Sequence, residues 1–135
     1  MAAPALTPAQ ALDAMPFCRT IGVEVTAVGP HEVRATLAWS PERCTIGGAM
    51  HGGAIMALAD GVGAVAAFVN LPEGATGTTT VTSATNFLRA VRDGHVEAIA
   101  RPLHAGRTTI VVETEVLDAQ GRRVAKITQT QAVLR

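Results

Sequence analysis

Between residues 47 and 70 the chain reads GGAMHGGAIMALADGVGAVAAFVN, a run of small and apolar residues broken by one histidine, His51, and one acid, Asp60. Wound as a helix, this stretch lines up Ile55, Leu58, Val62, Val65 and Val69 at spacings of three and four, a stripe that a sheet must cover. Asp60 falls nearly opposite, and its neighbours there, Met56, Gly63, Ala64 and Ala67, are all uncharged. A surface helix carries charge on its outer face, so this one is expected to be covered on both sides. A chain of 135 residues has material for one core and little for a second covering layer. The expected cover is another copy of the protein, in a homodimer, with Gly63 and Ala67 letting two helix backbones approach and Asp60 at or near the interface. A membrane-spanning helix is the costlier alternative, because it would hold Asp60 and several glycines in mid-span within a strand-rich domain. A purely structural acid, paired with a backbone group or a hydroxyl, is the plain alternative to a chemical one.

Around this helix the pattern changes to a period of two. Thr7-Pro8-Ala9-Gln10 has the form of a capping box with proline at the first helical position, which predicts a short helix to about Met15, before Pro16. Strands are predicted from Val23 to Val28 and from Glu32 to Trp39, joined by Gly29-Pro30, with Val33, Ala35, Leu37 and Trp39 on one face. Thr78 to Leu88, His95 to Arg101, Thr108 to Leu117 and Arg122 to Leu134 also read as strands, punctuated by Asp93-Gly94, Gly106 and Gln120-Gly121. The order is helix, two strands, long helix, four strands. It predicts a single α+β domain over residues 1–135, one antiparallel sheet against one main helix.

Composition removes several classes of function. Eleven basic and eleven acidic residues cancel, leaving no field of one sign to hold a nucleic acid or an anionic membrane. Aromatics make up 3% of residues against 48% hydrophobic, so the core is aliphatic and lacks base-stacking platforms. Cys18 and Cys44 sit in no metal spacing and form no disulfide framework, and MAAPALTPAQ lacks the basic start and apolar block of a signal peptide. A reduced, cytoplasmic setting is expected. His31, His95 and His104 lie near turns or strand ends without ligand spacing and are expected to be solvated. Neither a metal nor another cofactor is implied.

The chemistry concentrates at the helix start. Glycines at 47, 48, 52 and 53 let the chain turn sharply around His51 and leave backbone N–H groups uncovered, where unpaired donors and the helix dipole attract negative charge. Such donors suit an oxyanion hole, although a plain glycine-rich helix start reads the same way. Asp60 follows Gly52 by eight residues, roughly 12 Å along one helix, whereas reacting atoms must come within about 3.5 Å. Two antiparallel copies of the helix about a two-fold axis remove the conflict, because the helix start of one copy then faces the acid of the other.

The string G-x-x-H-G-G with an acid eight residues after its first paired glycine, here Gly48, His51, Gly52, Gly53 and Asp60, resembles the hotdog-fold acyl-CoA thioesterases of the phenylacetic-acid-degradation (PaaI-like) type. The likeness extends over most of the chain, through Pro16-Phe17, Ile21 to Val25, Asn86-Phe87-Leu88-Arg89 and Gly106-Arg107. It implies a sheet wrapped round one long central helix, dimers or tetramers, no metal, and hydrolysis of an acyl-coenzyme A thioester with an aryl or medium-chain acyl group. Residue by residue, it implies Asp60 as nucleophile or general base, the Gly52 N–H as oxyanion donor and His51 as support for that loop. It puts Thr45, Gly53, Ala64 and Thr80 near the substrate, and in a chain of zero net charge the phosphates of coenzyme A call for a local clamp, for which Arg89, Arg92 and Arg107 are the candidates. Thr45 stands where the family often has asparagine, and a hydroxyl reaches less far than a carboxamide. A non-catalytic thioester-binding module and an acyl-CoA hydratase or dehydratase are the rival uses of such a scaffold. The hydratase pattern D-x-N-x-x-H, the serine elbow G-x-S-x-G and a Walker loop are all absent from the sequence.

Overall fold

Thr7 caps the first helix as its sequence predicts: its hydroxyl accepts from the Gln10 N–H while the Gln10 side chain takes the Thr7 N–H, closing the capping box of α1 (Pro8–Asp13). The computed structural model, which describes residues 3–135, then departs from expectation. No second helix was expected after Pro16. Pro16 stands at the first position of a second short helix, α2 (Pro16–Ile21), which Gly22 ends in the left-handed region at φ 97°.

Strands β1 (Glu24–Val28) and β2 (Val33–Ala38) follow, then two short 3-10 turns (Pro41–Arg43 and Ile46–Gly48) and the long helix α3 (Gly52–Phe68). Four strands complete the chain: β3 (Gly77–Phe87), β4 (His95–Ala105), β5 (Thr109–Asp118) and β6 (Arg123–Leu134). They form one sheet in the order β1-β2-β4-β5-β6-β3, antiparallel at every described pairing. The expected α+β architecture, one antiparallel sheet around one long helix, is the one adopted. The strand expected over His95 to Arg101 runs on, since β4 continues past Arg101 to Ala105. Beyond the Val33–Ala100 pair β2 no longer accompanies it, so Pro102 lies on a stretch with β5 as its one neighbour and removes no ladder bond on the open side.

The core lies between the sheet and α3. Val33, Ala35 and Leu37 of β2, Ile110, Val112 and Val116 of β5, and Ile127 of β6 close over the predicted helix stripe, all of whose members are buried. Each fully buried branched side chain stabilises the fold by about 1.5–3 kcal/mol. The back of α3 is a correction. Gly63 and Ala67 are buried within this chain, and Gly63 faces the Gln129 side chain of β6 rather than a second helix. The strand that curls past the helix supplies cover that the sequence reading assigned to another copy. Met56 and Asp60 stay exposed on that side, with Ala64 half-buried one turn on. No helix among the described residues is long and apolar enough to cross a membrane.

Candidate active site

His51 is the N-cap of α3, in extended backbone at φ −62° and ψ 132°, and its imidazole does what a serine or aspartate usually does there. The Gly53 N–H donates to His51 Nδ1 at 2.8 Å. An accepting Nδ1 carries no proton, so the neutral ring keeps its hydrogen on Nε2. The two glycines after His51 thereby differ. Gly53 has its donor taken, whereas the Gly52 N–H, first in the helix and without an intrahelical acceptor, is taken by no acceptor among the described residues. One free backbone donor at the positive end of a 17-residue helix can hold a developing oxyanion.

The loop before it is held by a residue that motif reading passed over. Arg43 donates from Nε to the Ile21 carbonyl at 2.5 Å and from a terminal nitrogen to the Ala38 carbonyl and Ser40 Oγ, each at 3.0 Å. Its own carbonyl accepts from the His51 N–H at 2.7 Å. A side chain at Gly22 would run into the guanidinium, which explains a glycine there beyond its positive φ. Trp39 Nε1 donates to the Gly48 carbonyl, and Met50 N–H to the Val91 carbonyl, so the segment from 43 to 51 is tied to α2, to the end of β2 and the residues after it, and to the loop at Val91.

Cavities open on both flanks of the helix start. One of about 380 Å³ is walled by Phe17, Ile21, Arg43, Cys44, His51 and Gly53. The other, about 390 Å³, lies against Gly52, Ile55, Phe87, Leu88 and Arg89. The Phe87 ring packs on Gly52 so closely that a methyl group there would meet it at 3.1 Å.

Asp60 lines neither cavity. It is exposed on the outer side of α3, and Gln129 Nε2 donates to its Oδ1 at 2.8 Å. Behind it Cys18 is buried, and burial first, the Asp60 charge second, push that thiol up from its ordinary range. It stays protonated and does not compete as a nucleophile. Two residues along β6, Gln131 Nε2 donates to Thr80 Oγ1 at 2.7 Å. Both glutamines are buried, on the inward phase of a strand whose other inward side chains are apolar, and neither was singled out from the sequence. The signal was present: Ile127, Gln129 and Gln131 alternate in one phase, and amides at core positions ask for partners.

Within one chain the structure groups His51 with Gly53 and Gly52 with Arg89, and sets Asp60 and Ala64 farther along the same helix. Thr45 is exposed on the loop, its side chain making no described hydrogen bond. Arg107 sits in the β4–β5 turn, level with the start of β3, while Arg89 follows the end of that strand. The two arginines therefore stand at opposite ends of the sheet. Arg92, His31, His95 and His104 are exposed.

A family model described as the thioesterase superfamily matches residues 47–125. The proofreading thioesterase EntH of Cronobacter turicensis is 33% identical over 114 residues, which cover 84% of this chain and 82% of that protein. A solved thioesterase from Haemophilus influenzae superposes with a TM-score of 0.89 at 26% identity, covering 98% of this chain and 93% of its own. A mutant of the phenylacetic acid degradation protein PaaI from Thermus thermophilus gives 0.80 at 28% identity, over 88% of this chain and 99% of its own.

Proposed function

The chain belongs to the thioesterase superfamily, and from that premise we propose that this hotdog-fold thioester hydrolase cleaves acyl-coenzyme A, with Asp60 as the reacting carboxylate and the Gly52 N–H as oxyanion donor. The observation that carries the reading is the split between the two loop glycines: His51 satisfies Gly53 and leaves Gly52 free. As a general base, Asp60 takes a proton from water while the hydroxyl adds to the thioester carbonyl, whose oxygen gains the charge that the Gly52 N–H holds. When the C=O bond re-forms, the C–S bond breaks and the thiolate takes up the proton. As a nucleophile, the same carboxylate adds directly and water then cleaves the mixed anhydride. Both routes need an ionised acid beside the carbonyl.

Because Gly52 and Asp60 lie roughly 12 Å apart along one helix, each site takes its loop from one copy and its acid from another. The edge strand β3 supports such an assembly. It has 11 residues, none charged, and is exposed along most of its length, with Val81, Phe87 and the nearby Met56 adding apolar surface. The apolar cavity beside His51 suits an aryl or medium-chain acyl group, and Arg89, next to Gly52, suits a coenzyme A phosphate.

A panel of acyl-CoA thioesters, followed by release of free thiol, tests the reading. At least one aryl or medium-chain member is turned over by the parent chain, and Asp60→Asn lowers its kcat by at least about 100-fold, the low end for losing a positioned base, while the variant still binds the thioester. Near-parental hydrolysis by Asp60→Asn makes the acid structural and overturns the mechanism.

A further inference from the structure

Gln129 is fully buried, yet its amide is only half satisfied. Nε2 donates to Asp60 Oδ1 at 2.8 Å, and Oε1 has no partner among the described residues. A buried polar atom without a hydrogen bond destabilises a fold, and an apolar side chain of the same shape at such a place is commonly neutral or better. The unpaired oxygen offsets what the bond to Asp60 contributes, so stability alone does not call for a glutamine here. The helix makes a matching concession. A Cβ built on Gly63 would lie 1.7 Å from Gln129 Oε1 and 2.8 Å from its Cδ, so the amide occupies the space that glycine vacates. Glycine in mid-helix weakens the helix relative to alanine. Two locally unfavourable choices, from elements far apart in sequence, thus converge on one contact with the exposed carboxylate.

We propose that Gln129 is a positioning residue, which fixes the Asp60 carboxylate by one oxygen so that the other is presented to the reacting atoms, and that Gly63 lacks a side chain in order to seat it. The assignment rests on Asp60 being the reacting group. Among the described residues Gln129 is the one hydrogen-bond partner of that carboxylate. Without it the exposed side chain turns freely among its rotamers, and the fraction of time spent in attacking geometry falls. Substrate contacts made elsewhere are untouched, so the loss belongs to kcat rather than to KM.

The experiment measures kcat, KM and the thermal midpoint for Gln129→Met, Gly63→Ala and Asp60→Asn, and for Gln129→Met in the Asp60→Asn background. Gln129→Met keeps the volume without the amide. Gly63→Ala keeps the amide but pushes the flexible end of Gln129 aside, and so decides the matter even if the first variant folds poorly. Both single variants are expected to lose roughly 10- to 100-fold in kcat with KM little changed, Gln129→Met with a midpoint equal to or above the parent's and Gly63→Ala with one no higher than the parent's. Added to Asp60→Asn, Gln129→Met costs nothing more. Parental kcat in Gly63→Ala and Gln129→Met, beside an inactive Asp60→Asn, overturns the role of Gln129 alone. An equal further loss in the Asp60→Asn background also overturns it, because the glutamine then acts other than through the acid. Parental turnover in Asp60→Asn itself overturns the underlying reading instead, so the two failures are distinguishable.

Discussion

His51 accepts a hydrogen bond from a residue two places on, and so local a contact can be tested by exchanging acceptors. His51→Asn keeps a side-chain oxygen at the N-cap, whereas His51→Ala leaves the Gly53 N–H without its partner. The alanine variant is expected to lose about 1 kcal/mol of stability, or about 4 °C in thermal midpoint, and to lower turnover as the loop loosens. The asparagine variant is expected to retain most of the midpoint. Thermal unfolding of both beside thiol release checks this, and equal midpoints for alanine and parent would remove the cap from the account. Residues whose partners lie within one turn, such as His51 and Thr7, were legible in the sequence because their chemistry is written locally. Gln129 was not, since its partner lies 69 residues away and nothing in one strand states which helix face will meet it. Arg43 was missed partly for the same reason, since the Ile21 carbonyl that its Nε meets in α2 lies 22 residues back.

Elements were legible where a period repeats and illegible where they are short. The α3 stripe spans four turns, and five of its residues agree; α2 has six residues and begins at a proline, which after α1 reads as a stop. Strand β3 was legible as a strand, but its place at the edge depends on the pairing of β6 with β5, which only the folded sheet displays. That placement makes a prediction. The open side of β3 is uncharged and carries exposed Val81 at the bulge between Thr80 and Thr82. A charge there opposes pairing with another copy. Val81→Lys is expected to shift sedimentation from an oligomer to a monomer and to abolish turnover in parallel, with the thermal midpoint of the chain measured alongside. A monomer with parental activity would show that each chain carries a whole site.

At the scale of the molecule, the missing charged face of α3 pointed to a second copy, but part of that face is covered from within by Gln129, and Gly63 serves that contact. What remains open is narrower: Met56, Asp60 and the edge of β3. Chains with complementary defects test whether sites are shared. Gly52→Ala presses a methyl group on the Phe87 ring and displaces the loop, while Asp60→Asn removes the acid. Each variant alone is expected to be nearly inactive. Unfolded together in equal amounts and refolded, they are expected to recover about a quarter of parental turnover, because half of random dimers are mixed and each holds one intact site. No recovery above the separate variants would place both groups in one chain. The two inward glutamines also bear on how β6 finds its alignment. A slip of one residue would turn Thr128 and Thr130 toward α3 and both amides into water, leaving Asp60 and Thr80 without donors. Branched aliphatic side chains tolerate exchange for one another, but an amide needs a partner at one distance and angle. The contacts that aim the carboxylate therefore act as a key during folding, admitting one alignment of the strand from among those that greasiness alone would accept.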